Sequence, residues 1–296
     1  MNKKRIFFLL LGLIAGFLTL FFLINENSPS KHLEFDGDSA YQFLLEQTKY
    51  GPRTPGSLSH QLTRKLITDK LTDFGWSVET QELVVKGHTL YNIIARRESS
   101  GPITLIGAHY DSRLLATEES CLPHADQAVP GANDGASGVA VLLELARTLP
   151  QPIAKQVELV FFDAEDQGHI DDWDWILGSR AYVQNMQQPP TRVVILDMIG
   201  DSDLQIYKEK SSDSTLSEQI WQAASELGYS DIFLNEIKYN ILDDHFPFIE
   251  KGIPAVDIID FDYPWWHTIS DTNDKVSPAS LEIVGKTITH WLDTNP

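Results

Sequence analysis

The hydrophobic pattern changes along the chain. Residues 6–24 form an apolar run without charges, and at about 1.5 Å per helical residue this run nearly crosses the ~30 Å hydrocarbon core of a bilayer. Residues 38–50 and 57–74 then carry apolar side chains at helical spacing, whereas residues 77–84 and 89–96 alternate as half-buried strands do. The pattern predicts a membrane segment or signal peptide, followed by two amphipathic helices and two strands.

From residue 103 onward, short apolar runs alternate with segments of helical spacing. The predicted strands lie at 103–106, 157–162, 193–196, 204–207 and 255–259. One helix is predicted to begin in the glycine-rich segment 131–138 and to end near Leu149, and another covers 217–227. The terminal helix is predicted to run from Pro278 to Leu292, with Ser277 as its N-cap. Such alternation is typical of a mostly parallel sheet with helices on both faces. We therefore predict one α/β domain, a three-layer α/β/α fold with a central, mostly parallel, twisted sheet.

The residues that flank the apolar run differ in charge. Lys3, Lys4 and Arg5 precede it, and Asn25, Glu26 and Asn27 follow it. The positive-inside rule then predicts a cytosolic tail (1–5), a transmembrane signal anchor (6–24), a tether (25–35) and a folded domain (36–296) outside the cytosol. Because no small-residue cleavage site and no lipid-accepting cysteine follows the run, an uncleaved anchor is favoured over a removed signal. Periplasm, cell exterior and secretory lumen all stay open as the compartment.

Composition narrows the functional classes. The 296 residues are 42% hydrophobic, which is enough to bury a full core. We expect a monomer. The formal net charge of −19 argues against nucleic acid as a partner. Cys121 is the single cysteine, so the chain has neither an intrachain disulfide nor a thiolate metal cluster.

Polar residues follow the predicted strands. The apolar run 157–162 ends on Asp163, Glu165 and Asp166. The wider set is His109, Asp111, Asp134, Glu165, Asp166, Asp197, Asp243, Asp244 and His267. Each has an ordinary alternative, such as a helix N-cap for Asp134, but together they favour a site, because ligands bind at the carboxyl ends of strands in open α/β sheets. Imidazole and carboxylates without thiolates suit zinc.

These motifs carry a family resemblance that covers residues 103–292. The chain resembles the zinc aminopeptidase superfamily and, within it, the zinc-dependent glutaminyl-peptide cyclotransferases (glutaminyl cyclases) of animals and bacteria. The motifs are GAHYDS at 107–112, GAND at 131–134, FFDAED at 161–166, LDMIG at 196–200, DDHFPF at 243–248 and WHT at 266–268.

The resemblance implies a ligand set and a proton-transfer residue. Zinc would be held by Asp134, Asp166 and His267, and Glu165 would act as the general acid and base. In the dinuclear aminopeptidases the residues at His109 and Asp197 hold a second zinc, which Asp134 would bridge to the first. We expect one zinc ion per chain for a cyclase and two for an aminopeptidase.

Two positions favour the cyclase branch. Aminopeptidases usually carry serine at the position of Asp243 and commonly tyrosine at that of Trp266, so this chain follows the cyclase pattern at both. In the cyclases Asp197 and Asp243 join a hydrogen-bonded acid network, and the tryptophan packs on the substrate. A further pocket tryptophan corresponds to Trp173 or Trp175, and we expect Trp175 to bind substrate.

The resemblance thus implies an acyltransferase that cyclises the N-terminal glutamine of peptides or proteins to pyroglutamate and releases ammonia. A membrane-anchored dinuclear zinc aminopeptidase is the alternative. A binding ectodomain without activity is disfavoured, because none of the matched ligands is missing.

Overall fold

A computed structural model of the protein describes residues 33–97, 103–119 and 124–296. Residues Glu34–Pro296 form one compact unit. Within the described ranges, no helix is both long enough and apolar enough to cross a membrane. The anchor predicted at 6–24 and the single cysteine, Cys121, lie outside these ranges.

Helices and strands alternate from the third strand onward, as the sequence predicts. The helices are α1 (Gly37–Thr48), α2 (Leu58–Asp73), α3 (Ala136–Thr148), α4 (Gln151–Ala154), α5 (Leu177–Asn185), α6 (Ser214–Glu226), α7 (Phe246–Glu250) and α8 (Pro278–Thr294). The strands are β1 (Ser77–Val85), β2 (His88–Arg96), β3 (Thr104–His109), β4 (Val157–Phe162), β5 (Arg192–Asp197), β6 (Ile206–Glu209), β7 (Phe233–Tyr239) and β8 (Ala255–Ile259).

Six strands form the central sheet in the order β1-β2-β4-β3-β5-β8. β4, β3, β5 and β8 are mutually parallel, whereas β1 and β2 form an antiparallel edge. β6 and β7 pair separately. The prediction of a central, mostly parallel sheet is confirmed. His109 pairs with Phe162 and Asp197 with Ile259, so the carboxyl ends of these four strands lie at one edge of the sheet.

Apolar clusters cover both faces of the sheet. Successive side chains of a strand point to opposite faces, and on β3 Ile106 belongs to one cluster while Leu105 belongs to the other. The first cluster packs α1, α2, α3, α6 and α8 against the sheet. The second includes Tyr182 of α5 and Phe248 of α7. The apolar core therefore covers the two faces of the sheet, and polar side chains lie at its carboxyl edge.

The sequence pattern does not predict α4, α5, α7 or β7, and the reason is visible for α5 and β7. α5 begins after Ile176, which has a left-handed φ of 55° and makes no side-chain cap hydrogen bond, so no N-cap motif marks its start. β7 is mostly exposed, and its residues therefore show no alternation of apolar and polar types. The strand predicted at 204–207 begins two residues later, at Ile206.

Candidate metal and active site

The predicted site residues lie at the carboxyl edge of the sheet. His109 ends β3 and Asp197 ends β5, while Glu165 and Asp166 follow β4. Three residues in or beside this set have left-handed backbone: Ala164 (φ 53°), Met198 (φ 44°) and His267 (φ 55°). Such conformations cost of order 1–3 kcal/mol each in residues other than glycine and cluster at functional sites. The backbone is thus strained where it turns side chains into the site.

The first candidate metal group contains Asp134, Asp166 and His267. One ligand atom from each lies within 4.8 Å of the others, and all three residues are buried. His267 Nε2 is 2.7 Å from Asp166 Oδ1 and 3.7 Å from Asp134 Oδ2. The buried Asp166 Oδ2 has no hydrogen-bond partner in the described part of the chain.

A second group shares Asp134 with the first. His109 Nε2 lies 3.0 Å from Asp134 Oδ1 and 3.1 Å from Asp197 Oδ1. Asp134 therefore turns one oxygen toward His109 and the other toward His267. The structure brings together both ligand sets that the sequence predicts.

The donor atoms fit zinc. Each group offers one imidazole nitrogen and two carboxylate oxygens, which are ordinary ligands of zinc in sites without cysteine. Buried carboxylates are stable only when they are paired, protonated or bound to a metal. The orphaned Oδ2 of Asp166 is consistent with a bound cation at the first group.

Asp111 supports the acidic turn after β4. Its carboxylate accepts hydrogen bonds from the backbone N–H groups of Glu165 (3.1 Å) and Asp166 (3.4 Å) and from Gln167 Nε2 (2.9 Å). Burial alone would raise the pKa of Asp111, but the charge of the His109 ring, whose Nδ1 lies 3.5 Å from Asp111 Oδ1, and the hydrogen bond from Gln167 together outweigh burial and lower it. Asp111 thus stays ionised and fixes the backbone that carries both acids.

Asp271 supports the turn that carries Asp134, and the motifs do not point to it. Its Oδ1 accepts from Asn133 N (2.8 Å) and from the hydroxyl of Tyr263 (2.7 Å), and its Oδ2 accepts from Asp134 N (3.2 Å). The one signal in the sequence is its place four residues after His267 in the same loop. Next to this turn, a Cβ on Gly135 would lie 2.3 Å from His109 Nε2, so only glycine fits there.

Glu165 and Asp243 are buried acids with raised pKa values. Burial is the main reason that the pKa of Glu165 lies well above its usual range, and the nearby charges of Asp243 and Asp166 add to it. Burial and the charge of Asp197 raise the pKa of Asp243 to about 7. Asp244 is also buried, but it does not line the cavity that Glu165 and Asp243 line. Burial thus favours the protonated form of both acids, which suits groups that accept and donate protons.

A cavity of about 300 Å³ opens onto the first metal group. That volume is at the lower end of the roughly 300–1,000 Å³ range of small-molecule pockets. Its lining residues are Asp134, Glu165, Asp166, His169, Trp175, Asp197, Met198, Ile241, Leu242, Asp243, Ile259, Phe261, Trp266 and His267. The lining thus combines the three residues of the first candidate metal group and other acids with apolar residues, of which Ile241, Leu242, Ile259 and Phe261 lie outside the family motifs.

The tryptophans of the cavity stack around His267. The ring of Trp266 lies 3.8 Å from that of His267, centroid to centroid, and the ring of Trp175 lies 5.9 Å away at an interplanar angle of 9°. Trp173 instead stacks on His88 at 3.6 Å and does not line the cavity. Of the two tryptophans that the sequence leaves open, Trp175 is therefore the cavity residue.

A parallel sheet whose carboxyl edge carries buried groups of histidine and aspartate defines a candidate metalloenzyme of the α/β class. The chain belongs to peptidase family M28, which matches residues 92–292.

Three proteins illustrate the similarity. Aminopeptidase YwaD of Bacillus subtilis is 28% identical over 290 aligned residues, and the match covers 88% of this chain but 58% of YwaD. The crystal structure of Porphyromonas gingivalis glutaminyl cyclase matches with a TM-score of 0.83 at 32% identity and covers 89% of this chain and 100% of that chain. A Zn-dependent exopeptidase from Parabacteroides distasonis matches with a TM-score of 0.81 at 30% identity, over 88% and 98% of the two chains.

The matches confirm the resemblance that the motifs predict, to the zinc aminopeptidase superfamily and to its glutaminyl cyclases. They also confirm the expectation of an enzyme of this type. Relatives of both the cyclase and the peptidase kind are similar to this chain, so similarity alone does not distinguish the two reactions.

Proposed function

We propose that the chain is a glutaminyl-peptide cyclotransferase that converts the N-terminal glutamine of peptides or proteins into pyroglutamate and ammonia. The observation that carries this proposal is the make-up of one cavity, in which Glu165 and Asp243 lie beside the first metal group and the ring of Trp266. Hydrolysis needs a group that activates water, whereas cyclisation needs a site that moves a proton between two nitrogens of one substrate. Two buried carboxyls with raised pKa values suit that transfer.

An N-terminal glutamine carries both reacting groups. Its α-amine nitrogen forms a bond to the γ-carboxamide carbon, and the bond from that carbon to the amide nitrogen breaks. The α-amine loses one proton and the departing nitrogen gains one, so ammonia leaves and no water is consumed. Because proximity is built into the substrate, the protein has to orient the side chain and carry the proton.

We assign one zinc ion to Asp134, Asp166 and His267, three protein ligands being the number that catalytic zinc sites use. When bound, zinc supplies a Lewis acid that polarises the carboxamide. Asp134 and Asp166 would reach it through carboxylate oxygens and His267 through a ring nitrogen.

Glu165 carries the proton in this proposal. Its carboxylate accepts the proton from the α-amine, and the resulting carboxyl donates it to the departing nitrogen. A general acid and base works best when its pKa is near the working pH, and burial raises the pKa of Glu165 from the usual range of a carboxyl. Asp243 accepts a hydrogen bond from the carboxamide nitrogen, and Asp197 helps to keep the pKa of Asp243 raised.

The aromatic wall binds and shields the substrate. Trp266 and Trp175 flank His267, and Phe261 packs against Trp266 with ring centroids 5.1 Å apart. Apolar walls in a small cavity bury the aliphatic part of glutamine and exclude water, which favours ring closure over hydrolysis.

The purified protein is expected to release equal amounts of ammonia and pyroglutamyl peptide from a Gln-initiated peptide, and no free amino acid from an aminoacyl anilide. The same peptide with an acetylated α-amine is the matched control and is expected to be inert, because the nucleophile is blocked. Elemental analysis is expected to find about one zinc per chain. Free amino acid without a ring product would contradict the proposal.

An aminopeptidase is the second candidate, and the group His109, Asp134 and Asp197 is the observation that favours it. The two groups, which share Asp134, would hold two ions, and these would supply Lewis acidity toward a water for which Glu165 would serve as the base. About two zinc ions per chain, together with anilide cleavage, would support this candidate.

We also propose that residues 6–24 anchor the chain in a membrane with the catalytic domain outside the cytosol. The apolar run and the basic residues before it support this proposal. After alkaline washing of membranes, the full-length chain is expected in the pellet. A soluble mature chain that lacks about 25 N-terminal residues would instead show a cleaved signal.

A further inference from the structure

Arg113 is a buried side chain to which neither the motifs nor the proposed reaction assigns a role. Its guanidinium donates from Nη1 to the backbone oxygen of Asp166 (2.9 Å), from Nη2 to that of Gly168 (3.1 Å), and from Nε to Thr117 Oγ1 (2.9 Å). Nη1 also lies 3.5 Å from Asp166 Oδ1. Nη1 and Nη2 thus hold the turn that carries a predicted metal ligand, and Nε ties the guanidinium to Thr117.

The same guanidinium contacts the aromatic wall. Its central carbon lies 4.7 Å from the centroid of the Trp175 ring, within the distance for a cation–π interaction. The indole also lies directly against Gly168, where an added Cβ would be 2.1 Å from Trp175 Cδ2. Trp175 is therefore held in place by Arg113 and by the turn that Arg113 fixes.

Lysine could not make this set of contacts. Arginine presents a planar fork that donates in several fixed directions and stacks on aromatic faces, whereas lysine is a compact point charge on a flexible stem. Groups behind a metal ligand orient it, and their loss commonly lowers metal affinity 10–100-fold.

We propose that Arg113 is a positioning residue that couples Asp166 to Trp175, so that one side chain sets both the affinity of the first metal group and the placement of the substrate-binding wall. The expected effect on substrate binding rests on the proposed function, whereas the expected effect on metal affinity does not. Asp166 and Trp175 make the contacts with metal and substrate, and Arg113 acts through them.

The test is Arg113→Lys. Zinc affinity, measured by competition with a chelator, is expected to fall about 10–100-fold. At saturating zinc, the KM for a Gln-initiated peptide is expected to rise about tenfold with kcat within a few-fold of wild type, because the wall is displaced while Glu165 is untouched. Unchanged zinc affinity or an unchanged KM would overturn the proposal.

A double-mutant cycle with Trp175→Phe tests the coupling. If Arg113 acts on KM through Trp175, the KM of the double variant is expected to match that of Trp175→Phe alone. KM increases that multiply would overturn the coupling to Trp175.

Gly168→Ala serves if Arg113→Lys does not fold, since it displaces the indole and leaves the guanidinium in place. Its KM is expected to rise, and an unchanged KM would overturn the proposed role of the wall.

Arg192→Lys is the matched control. Arg192 also stacks on a tryptophan, with its guanidinium carbon 4.6 Å from the ring centroid of Trp291, but it binds Thr104 and Asn295 away from the cavity. Zinc affinity and KM are expected to stay at wild-type values, and losses equal to those of Arg113→Lys would overturn the proposal. If wild type cyclises no peptide, the proposed function fails, and the chelator competition still decides whether Arg113 supports Asp166.

Discussion

Glu165→Gln is expected to lower kcat for cyclisation by about 10²–10⁴, the usual contribution of a general acid–base group, while zinc stays bound. Glutamine keeps the size of the side chain but cannot accept a proton from the α-amine or deliver one to ammonia. The metal group is formed by Asp134, Asp166 and His267 and does not include Glu165. Steady-state kinetics and elemental zinc analysis on the same preparation measure both effects.

Glu158→Gln is the matched control for that experiment. Glu158 is a buried glutamate of β4, the strand that leads into the acidic turn, and it bonds to Tyr182 and Arg96 instead of lining the cavity. Its replacement is expected to lower the melting temperature and leave kcat near wild type. A Glu165→Gln variant with wild-type kcat would remove Glu165 from the mechanism, and one that lost its zinc would show that the residue supports the metal instead.

The residues at strand ends could be predicted because their signal is local. An apolar run that stops on Glu165 and Asp166 marks both a strand and the acids behind it. The parallel arrangement of β3, β4 and β5 then brings His109 and Asp197 to the same edge. A buried strand pattern and a polar residue at its end are therefore enough to mark His109, Asp166 and Asp197 as candidate site residues, whereas the ligand sets are implied by the resemblance of the motifs to a known family.

The supporting residues could not be predicted, because their role depends on contacts between distant segments. Asp271 accepts a hydrogen bond from the backbone N–H of Asp134, which is 137 positions away. Arg113 donates a hydrogen bond to the backbone oxygen of Asp166, which is 53 positions away. Neither a hydrophobic period nor a cap motif records such contacts. The choice of Trp175 over Trp173 has the same cause, since the two differ by two positions and only the folded turn separates their surroundings.

Asp243→Asn is expected to shift the pH profile of cyclisation as well as its rate. Burial and the charge of Asp197 raise the pKa of Asp243 to about 7, and Asp243 in turn helps to raise the pKa of Glu165. Both acids are protonated at low pH, so wild-type kcat/KM is expected to rise as the pH increases through neutrality, with apparent pKa values that belong to the pair. Asparagine removes one negative charge beside Glu165, which lowers the pKa of Glu165 and moves the acidic limb to lower pH.

The rate at the optimum is expected to fall by about 10², because the neutral amide oxygen of asparagine accepts a weaker hydrogen bond from the carboxamide than the charged carboxylate of Asp243 does. Asp260→Asn is the control, since burial raises the pKa of Asp260 to about 7 as well, yet its carboxylate accepts from the backbone N–H groups of Gln205 and Asp262 and does not line the cavity. Its profile is expected to match that of wild type. An acidic limb that stays in place in Asp243→Asn would mean that Asp243 does not set the protonation of Glu165, and the distinction between cyclase and peptidase would then rest on the cavity wall alone.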